Sequence, residues 1–151
     1  MKEFTQYTDS DDAGCPITRK STSSGDLLHG SHLIKSYSST QQTLALSSGE
    51  SEFYATIKAA ASALGARAMA EDLGIELGVN ICTDASASKA MVSRRGFGKA
   101  KHISRCFLWI QQRIRDKEVR IQYPRSAQMT IQLTWVQSSS SWGKYGIYYR
   151  C

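Results

Sequence analysis

The sequence predicts an α/β fold in which helices cover a mixed sheet. Three β-prone stretches come first, a long helix follows, and short strands and helices then alternate to about residue 123. The long helix carries apolar residues at spacings of four, three, four and four: Phe53, Ile57, Ala60, Leu64 and Ala68. This spacing is typical of a helix that buries one stripe against a core. Strands combined with such a helix indicate a layered domain.

The elements follow one another with clear turn signals. Before the long helix we predict a strand, a loop, a hairpin and a further strand: residues 4–8, 15–26, 27–38 and 43–47. The hairpin is expected to turn at Gly30-Ser31. The helix is expected to begin after an N-cap at Ser48 and to end near Gly74, since glycine commonly follows a helix end.

After the helix we predict a buried strand, a short helix, a second long helix and a last strand: residues 79–83, 85–92, 103–114 and 119–123. The short helix is expected to turn Ala87, Ala90 and Met91 toward the core. The order of elements is therefore βββαβαα followed by a strand.

Composition narrows the class of protein. The chain has 151 residues, of which 41% are hydrophobic and 21% charged, as in one globular domain. It has no apolar run long enough for a membrane helix and no apolar leader, so we expect an intracellular protein, cytoplasmic or nuclear and not secreted. The four cysteines lack zinc-site spacing and are expected to be reduced. The net charge of +6 suits phosphate binding, although a solvated basic surface has the same charge.

Acidic residues at the ends of predicted elements are candidate metal ligands: Asp9, Asp84 and one of the two glutamates in the first turn of the long helix, Glu50 or Glu52. Carboxylates brought together from separate elements form the hard oxygen site that Mg²⁺ prefers. Local chemistry also allows a structural role for each of them. Asp9 would form a turn, Asp84 would cap a helix, and Glu52 would complement the dipole of the long helix.

Five ordered motifs are similar to the ribonuclease H domain of copia-type retrotransposon polyproteins. They begin at Tyr7, Thr18, Ser47, Thr83 and Lys101, and they read YTDSDDAGC, TRKSTSSG, SSGESEFYA, TDASA and KHI. The likeness covers residues 7–124. It implies a five-stranded mixed sheet flanked by helices and hydrolysis of the RNA strand of an RNA–DNA hybrid. It also implies that the reverse transcriptase and integrase portions of a polyprotein are partners if they are expressed together.

The resemblance assigns roles to the acids. The family uses an Asp, Glu, Asp, Asp set that binds two Mg²⁺ (or Mn²⁺) ions, and its first three members correspond to Asp9, Glu52 and Asp84. Glu52 rather than Glu50 is matched, because it directly precedes the Phe-Tyr-Ala triplet. The two glutamates project about 200° apart around a helix, so they cannot both face one site. Two such ions activate an attacking water and stabilise the leaving 3′ oxygen.

A basic loop is the candidate nucleic-acid contact. Its cationic residues are Arg94, Arg95, Lys99, Lys101 and His102, and Phe97 lies among them. These side chains are expected to hold phosphates of the hybrid, with Phe97 against a sugar or base. The alternative is a solvated loop with Phe97 packed inward.

The sequence departs from the family at the fourth acid. All 13 acidic residues lie before position 119, and the stretch 128–137 contains none. One allowed codon choice for residues 129–138 encodes a different peptide when the frame is displaced by one base: Asn-Asp-Asn-Ser-Ala-Asp-Leu-Gly-Thr-Lys. That peptide contains the family's Ala-Asp signature. We therefore divide the chain into a ribonuclease H-like domain, residues 1–124, and a divergent tail, residues 125–151, that is frame-shifted or disordered. Activity is expected to be weakened or lost, and a non-catalytic nucleic-acid-binding remnant is the alternative.

Overall fold

The computed structural model describes residues 3–93 and 109–123. Its elements in chain order are β1 (Glu3–Ser10), β2 (Thr22–His29), β3 (His32–Thr40), α1 (Ser48–Asp72), β4 (Gly78–Cys82), α2 (Ser86–Ser93), α3 (Trp109–Arg115) and β5 (Val119–Gln122). The five strands form one sheet in the order β3-β2-β1-β4-β5. The β1–β2 and β2–β3 pairs are antiparallel, whereas β1–β4 and β4–β5 are parallel. The predicted mixed α/β sheet is confirmed.

The hairpin and its turn are as expected, but the loop before it is shorter than predicted. Gly30 has a φ of 61°, a left-handed conformation that glycine adopts without strain. Residues 22–26, predicted as loop, belong to β2, because pairing with β1 outweighs the weak strand propensity of Ser and Gly: Ser23 lies opposite Ser10, and Gly25 opposite Thr8.

The strand predicted at residues 43–47 is wrong. This segment connects β3 to α1 without joining the sheet. Its backbone is held by side chains instead of by a neighbouring strand, since the Glu50 carboxylate accepts a hydrogen bond from the Leu46 N–H at 3.0 Å. Leu44 and Leu46 are exposed.

Helix α1 begins one residue earlier than predicted and ends where expected. Ser47, not Ser48, is the N-cap, because its backbone is extended and its hydroxyl accepts the Glu50 N–H at 3.3 Å. The end is marked by Gly74, whose φ is 76°. The predicted inward position of Ala68 is wrong, since it is exposed.

The apolar stripe of α1 follows the true helical period. Beyond Ala60 it continues through Ala63, which is fully buried, and through the partly buried Ala66 and Ala70. The predicted stripe instead steps by four residues twice, from Ala60 to Ala68, and such steps move around the helix away from the buried face because the helical period is 3.6 residues. Leu64 is therefore only partly buried.

The short helix α2 is present, but its inward face is predicted correctly only at Met91, which packs against the core. Ala87 and Ala90 are exposed and Met91 is half-buried, whereas Ser88 and Val92 are fully buried. A serine is tolerated inside because its hydroxyl lies 2.7 Å from that of Thr56 on α1.

The core lies between the sheet and α1, with α2 and α3 beside it. Its largest fully buried apolar side chains are Phe53, Leu27, Ile81, Ile110, Val79, Val92 and Val119. Cys15 and Cys82 are both buried. Within the described ranges, no helix has both the length and the hydropathy that crossing a membrane requires.

Candidate metal and active site

The structure brings Asp9, Glu52 and Asp84 together. One carboxylate oxygen from each can be chosen so that all three lie within 4.8 Å of one another. Asp9 lies near the end of β1, and Asp84 is the second residue after β4. Because β1 and β4 are parallel neighbours, their carboxyl ends lie at the same edge of the sheet. The first turns of α1 bring Glu52 to that edge.

Hydroxyl contacts hold α1 against β1 beside these acids. Thr8 Oγ1 donates to the Ala55 carbonyl at 3.3 Å, and Ser10 Oγ donates to Ser51 Oγ at 3.1 Å. Both contacts join a residue next to Asp9 with a residue within three positions of Glu52. The distance between the two carboxylates is thus set by side chains that are themselves held in place.

Helix α2 is held against α1 in a similar way. Ser88 Oγ lies 3.4 Å from the Glu52 carbonyl oxygen, to which it donates, as well as contacting Thr56. Gly49 permits this close approach, because a Cβ atom there would lie only 2.9 Å from the Ala87 Cβ. Since Asp84 lies two residues before α2, these contacts also position the third acid.

Burial and mutual repulsion make two of the acids hard to ionise. Burial is the main cause that raises the pKa of Glu52 to about 7, and the charges of Asp9 and Asp84 raise it further against hydrogen bonds from Ser10. The pKa of Asp9 is also raised, chiefly by burial. A hydrogen bond from the Ser10 N–H to Asp9 Oδ1, at 2.9 Å, acts in the opposite direction.

The three residues fit a hard divalent cation. Glu52 Oε2 is buried and has no hydrogen-bond partner within the described part of the chain. An unpaired buried carboxylate oxygen is unfavourable unless something positive meets it. Carboxylate oxygens are the ligands that Mg²⁺ and Mn²⁺ prefer. The arrangement can therefore concentrate negative charge at one point and compensate it with bound metal.

Glu50 has a different role from Glu52, as expected from their separation of about 200° around the helix. It is 2% exposed, accepts the Tyr54 hydroxyl hydrogen at 2.6 Å, and holds the Leu46 N–H with its second oxygen. Glu50 thus anchors the segment before α1. Sequence reasoning did not find this role, although the i, i+4 spacing of Glu50 and Tyr54 was available as a signal.

The remaining predicted site residues lie outside the described residues. These are the basic loop residues Arg94, Arg95, Lys99, Lys101 and His102, and the stretch 128–137 in which the fourth acid is missing. Their roles stay predictions, as does the division of the chain at residue 124.

Comparison with solved structures shows the ribonuclease H fold. LC11-RNase H1, isolated from compost by a metagenomic approach, matches with a TM-score of 0.55 and 12% identity over 85% of this chain and 88% of that one. The structure of LC11-RNase H1 in complex with an RNA/DNA hybrid matches with a TM-score of 0.51 and 12% identity over 83% of this chain and 88% of that one. RNase H1 from the archaeon Halobacterium salinarum matches with a TM-score of 0.49 and 16% identity over 83% of this chain and 88% of that one. No family model and no curated protein matches the sequence.

Proposed function

We propose that this chain is a metal-dependent nuclease of the ribonuclease H type, which hydrolyses the RNA strand of RNA–DNA hybrids. The observation that carries the proposal is the convergence of three carboxylates from β1, α1 and the end of β4, with Glu52 Oε2 buried and unpaired. A purely structural role for these acids does not explain why elements far apart in sequence bring three carboxyl groups within 4.8 Å of one another. The ribonuclease H fold of the sheet agrees with this function.

The residues act by holding divalent ions and the scissile phosphate in one geometry. Asp9, Glu52 and Asp84 would bind Mg²⁺ or Mn²⁺, which supplies water activation and stabilisation of the leaving oxygen when bound. Glu52 would have to be deprotonated to hold such an ion, since its pKa of about 7 leaves it partly protonated near neutral pH. The hydroxyls of Ser10 and Ser51 hold the carboxylates in register before metal arrives.

We further propose a copia-type retrotransposon origin and a reduced rate. The five ordered motifs support the origin, and the absence of acidic residues after Glu118 supports the reduced rate. Removing one element of electrostatic stabilisation from an active site lowers the rate on the order of 10²–10³-fold. Sequencing the encoding DNA tests the frame-shift explanation, which is wrong if neither displaced frame encodes Ala-Asp near residue 134.

Hydrolysis of a labelled RNA–DNA hybrid tests the proposed activity. The unsubstituted chain is incubated with Mg²⁺ and with Mn²⁺, beside Asp9→Asn and a matched control, Asp12→Asn. Asp12 is an exposed aspartate of the same turn and lies outside the acid cluster. We expect slow cleavage of the RNA strand by the unsubstituted chain and by Asp12→Asn, and none by Asp9→Asn. Cleavage that persists in Asp9→Asn would contradict the assignment.

A second candidate is a non-catalytic nucleic-acid-binding module. It is favoured by one specific observation, the missing fourth acid in a chain of net charge +6. In the same assay this reading predicts that the hybrid binds without cleavage, and that Asp9→Asn binds at least as tightly as the unsubstituted chain, because a negative charge near the phosphates has been removed.

A further inference from the structure

Strand β3 forms one edge of the sheet, and among the described residues only β2 pairs with it. It is nine residues long, and every one of its side chains is exposed or half-buried. Near its start, Leu33 and Ile34 are 59% and 55% exposed. A long, exposed edge strand presents unpaired N–H and C=O groups, so it is able to accept a further extended chain.

Hydrogen bonds at the end of β3 show which of its backbone groups face outward. The Gln41 N–H donates to the Ser21 carbonyl at 2.7 Å, so Gln41 bonds toward the β2 side. Thr22, which lies opposite Thr40, forms its own backbone hydrogen bonds with Asp11 on the other side. Bonding alternates along an antiparallel pair, so every second residue of β3 directs its N–H and C=O away from β2. These outward-facing residues are Ser36, Ser38 and Thr40.

Two lysines lie along the α1 side of this edge. Lys35 is exposed and lies opposite Leu27, a core residue that faces α1, so both side chains project to the same face of the sheet. Lys58 is exposed on α1, and its Nζ lies 5.3 Å from the centre of the Tyr37 ring and donates to Ser39 Oγ. The ring and the hydroxyl hold this ammonium group at the edge without neutralising it.

No acid on the same face balances these two charges within the strands that form the edge. Strand β3 contains no acidic residue. Asp26, the one acid of β2, is buried and lies opposite Ser36, so it belongs to the other face of the sheet. Neither Lys35 nor Lys58 forms an ion pair with a described residue. The edge therefore combines free backbone groups with uncompensated positive charge.

This charge decides between two kinds of occupant. A second copy of the chain, paired antiparallel through β3, would place the lysines of both copies on one face of a joint sheet. Like charges brought together across a strand pair are destabilising, and edge lysines commonly prevent such self-pairing. An acidic strand, by contrast, would be attracted by the same lysines.

We propose that β3 binds an extended acidic peptide, which adds to the sheet as a further strand. The peptide backbone pairs with the outward groups of Ser36, Ser38 and Thr40. Its acidic side chains lie at alternate positions, because these project to one face of a strand, and they meet Lys35 and Lys58 there. The surface is independent of hydrolysis at the acid cluster. It is therefore tested in EDTA, where failure of the proposed nuclease activity has no influence on the result.

Fluorescence anisotropy measures binding of a labelled probe peptide, Thr-Glu-Val-Glu-Val-Glu-Thr, to the full chain. The control peptide carries lysine in place of each glutamate. We expect saturable binding of the acidic peptide, about tenfold or more tighter than that of the lysine peptide at low salt, and a smaller difference as salt is added. Amide hydrogen exchange locates the contact: binding should slow exchange of the Ser36, Ser38 and Thr40 N–H groups, whereas Tyr37 and Ser39, which bond to β2, should change little.

Matched variants separate backbone pairing from charge. Ser38→Pro removes one outward N–H but no hydrogen bond to β2, and should weaken binding of the acidic peptide about tenfold, whereas Ser38→Ala keeps that N–H and should bind like the unsubstituted chain. Lys35→Glu should weaken binding of the acidic peptide and strengthen binding of the lysine peptide. A folding defect would weaken both, so this exchange of preference decides if circular dichroism shows that Ser38→Pro does not fold.

Three results would overturn the proposal. The first is equal binding, or no saturable binding, of the two peptides. The second is slowed exchange that leaves out the three outward amides. The third is a concentration-dependent dimer in sedimentation analysis whose formation slows exchange of the same amides, because β3 would then pair with a second copy.

Discussion

Replacing Glu52 by Gln should stabilise the metal-free protein at alkaline pH. In the fold, burial and the neighbouring Asp9 raise the pKa of Glu52 from its ordinary value of 4.5 to about 7. A raised pKa means that folding favours the protonated acid, so this contribution to stability is fully present below about pH 4.5 and is lost as the pH rises through 7. At pH 8 Glu52 is ionised in both states, and its ionisation costs more free energy in the folded protein than in the unfolded chain.

The size of the effect follows from the two pKa values. Their difference, at about 1.4 kcal/mol for each pKa unit, corresponds to about 3 kcal/mol in full. The Glu52 side chain is only partly buried, so solvent screening reduces the expected gain to about 1–2 kcal/mol. Glutamine has the same shape as glutamate and carries no ionisable group, so the gain should not be offset by lost packing.

Urea unfolding in EDTA at pH 5 and pH 8 measures this directly. We expect Glu52→Gln to raise the free energy of unfolding at pH 8 and to change it little at pH 5, where Glu52 is already protonated in the fold. Glu76→Gln, at an exposed glutamate, should stay within about 0.5 kcal/mol at both values. Destabilisation of Glu52→Gln at pH 8, or an equal gain at both pH values, would refute the description of the site as a cluster of repelling carboxylates.

Three further predictions rest on separate contacts. Mn²⁺ affinity should rise about tenfold from pH 6 to pH 8, because Glu52 with a pKa of about 7 must lose its proton to bind metal; a flat profile by titration calorimetry would contradict this. Gly49→Ala should destabilise the protein by about 1–3 kcal/mol in urea unfolding, since the new Cβ would lie 2.9 Å from that of Ala87. Gly65→Ala should instead stabilise it by about 0.5–1 kcal/mol, because a Cβ there would meet no atom within 4 Å and alanine favours the helix. Ser47→Ala should cost about 1 kcal/mol through loss of the N-cap, and Ser48→Ala should stay within about 0.5 kcal/mol; the reverse order would place the cap at Ser48.

The periodicity of apolar residues was sufficient to predict the elements that bury mainly apolar side chains. The spacing of Phe53, Ile57 and Ala60 predicted α1, and the run at residues 79–83 predicted β4, because both elements bury hydrocarbon side chains. Residues 22–26 were misread because their strand depends on pairing with β1, a long-range contact that Ser and Gly do not signal locally. The inward serine of α2 was missed for a similar reason, since its partner Thr56 lies 32 residues away.

The candidate site was predictable to a similar extent. Acids at the ends of predicted strands pointed to Asp9 and Asp84, since the ends of adjacent parallel strands meet at one edge. The choice of Glu52 over Glu50 came from the family resemblance, and Glu52 lies with the two aspartates in one cluster. The angular separation of Glu50 and Glu52 on a helix correctly predicted that they face different surroundings. The buried position of the Gln41 side chain was not predictable, because its amide is fixed by two acceptors from different elements.

The proposed function depends most on whether Asp9, Glu52 and Asp84 together hold a divalent ion. Electron paramagnetic resonance of free Mn²⁺, titrated with the protein at pH 8, measures this binding without reference to any substrate. We predict saturable binding by the unsubstituted chain and by Asp12→Asn, and a loss of about tenfold or more in affinity for Asp9→Asn and Glu52→Gln. Equal Mn²⁺ binding by all four proteins, or binding by none of them, would contradict the account.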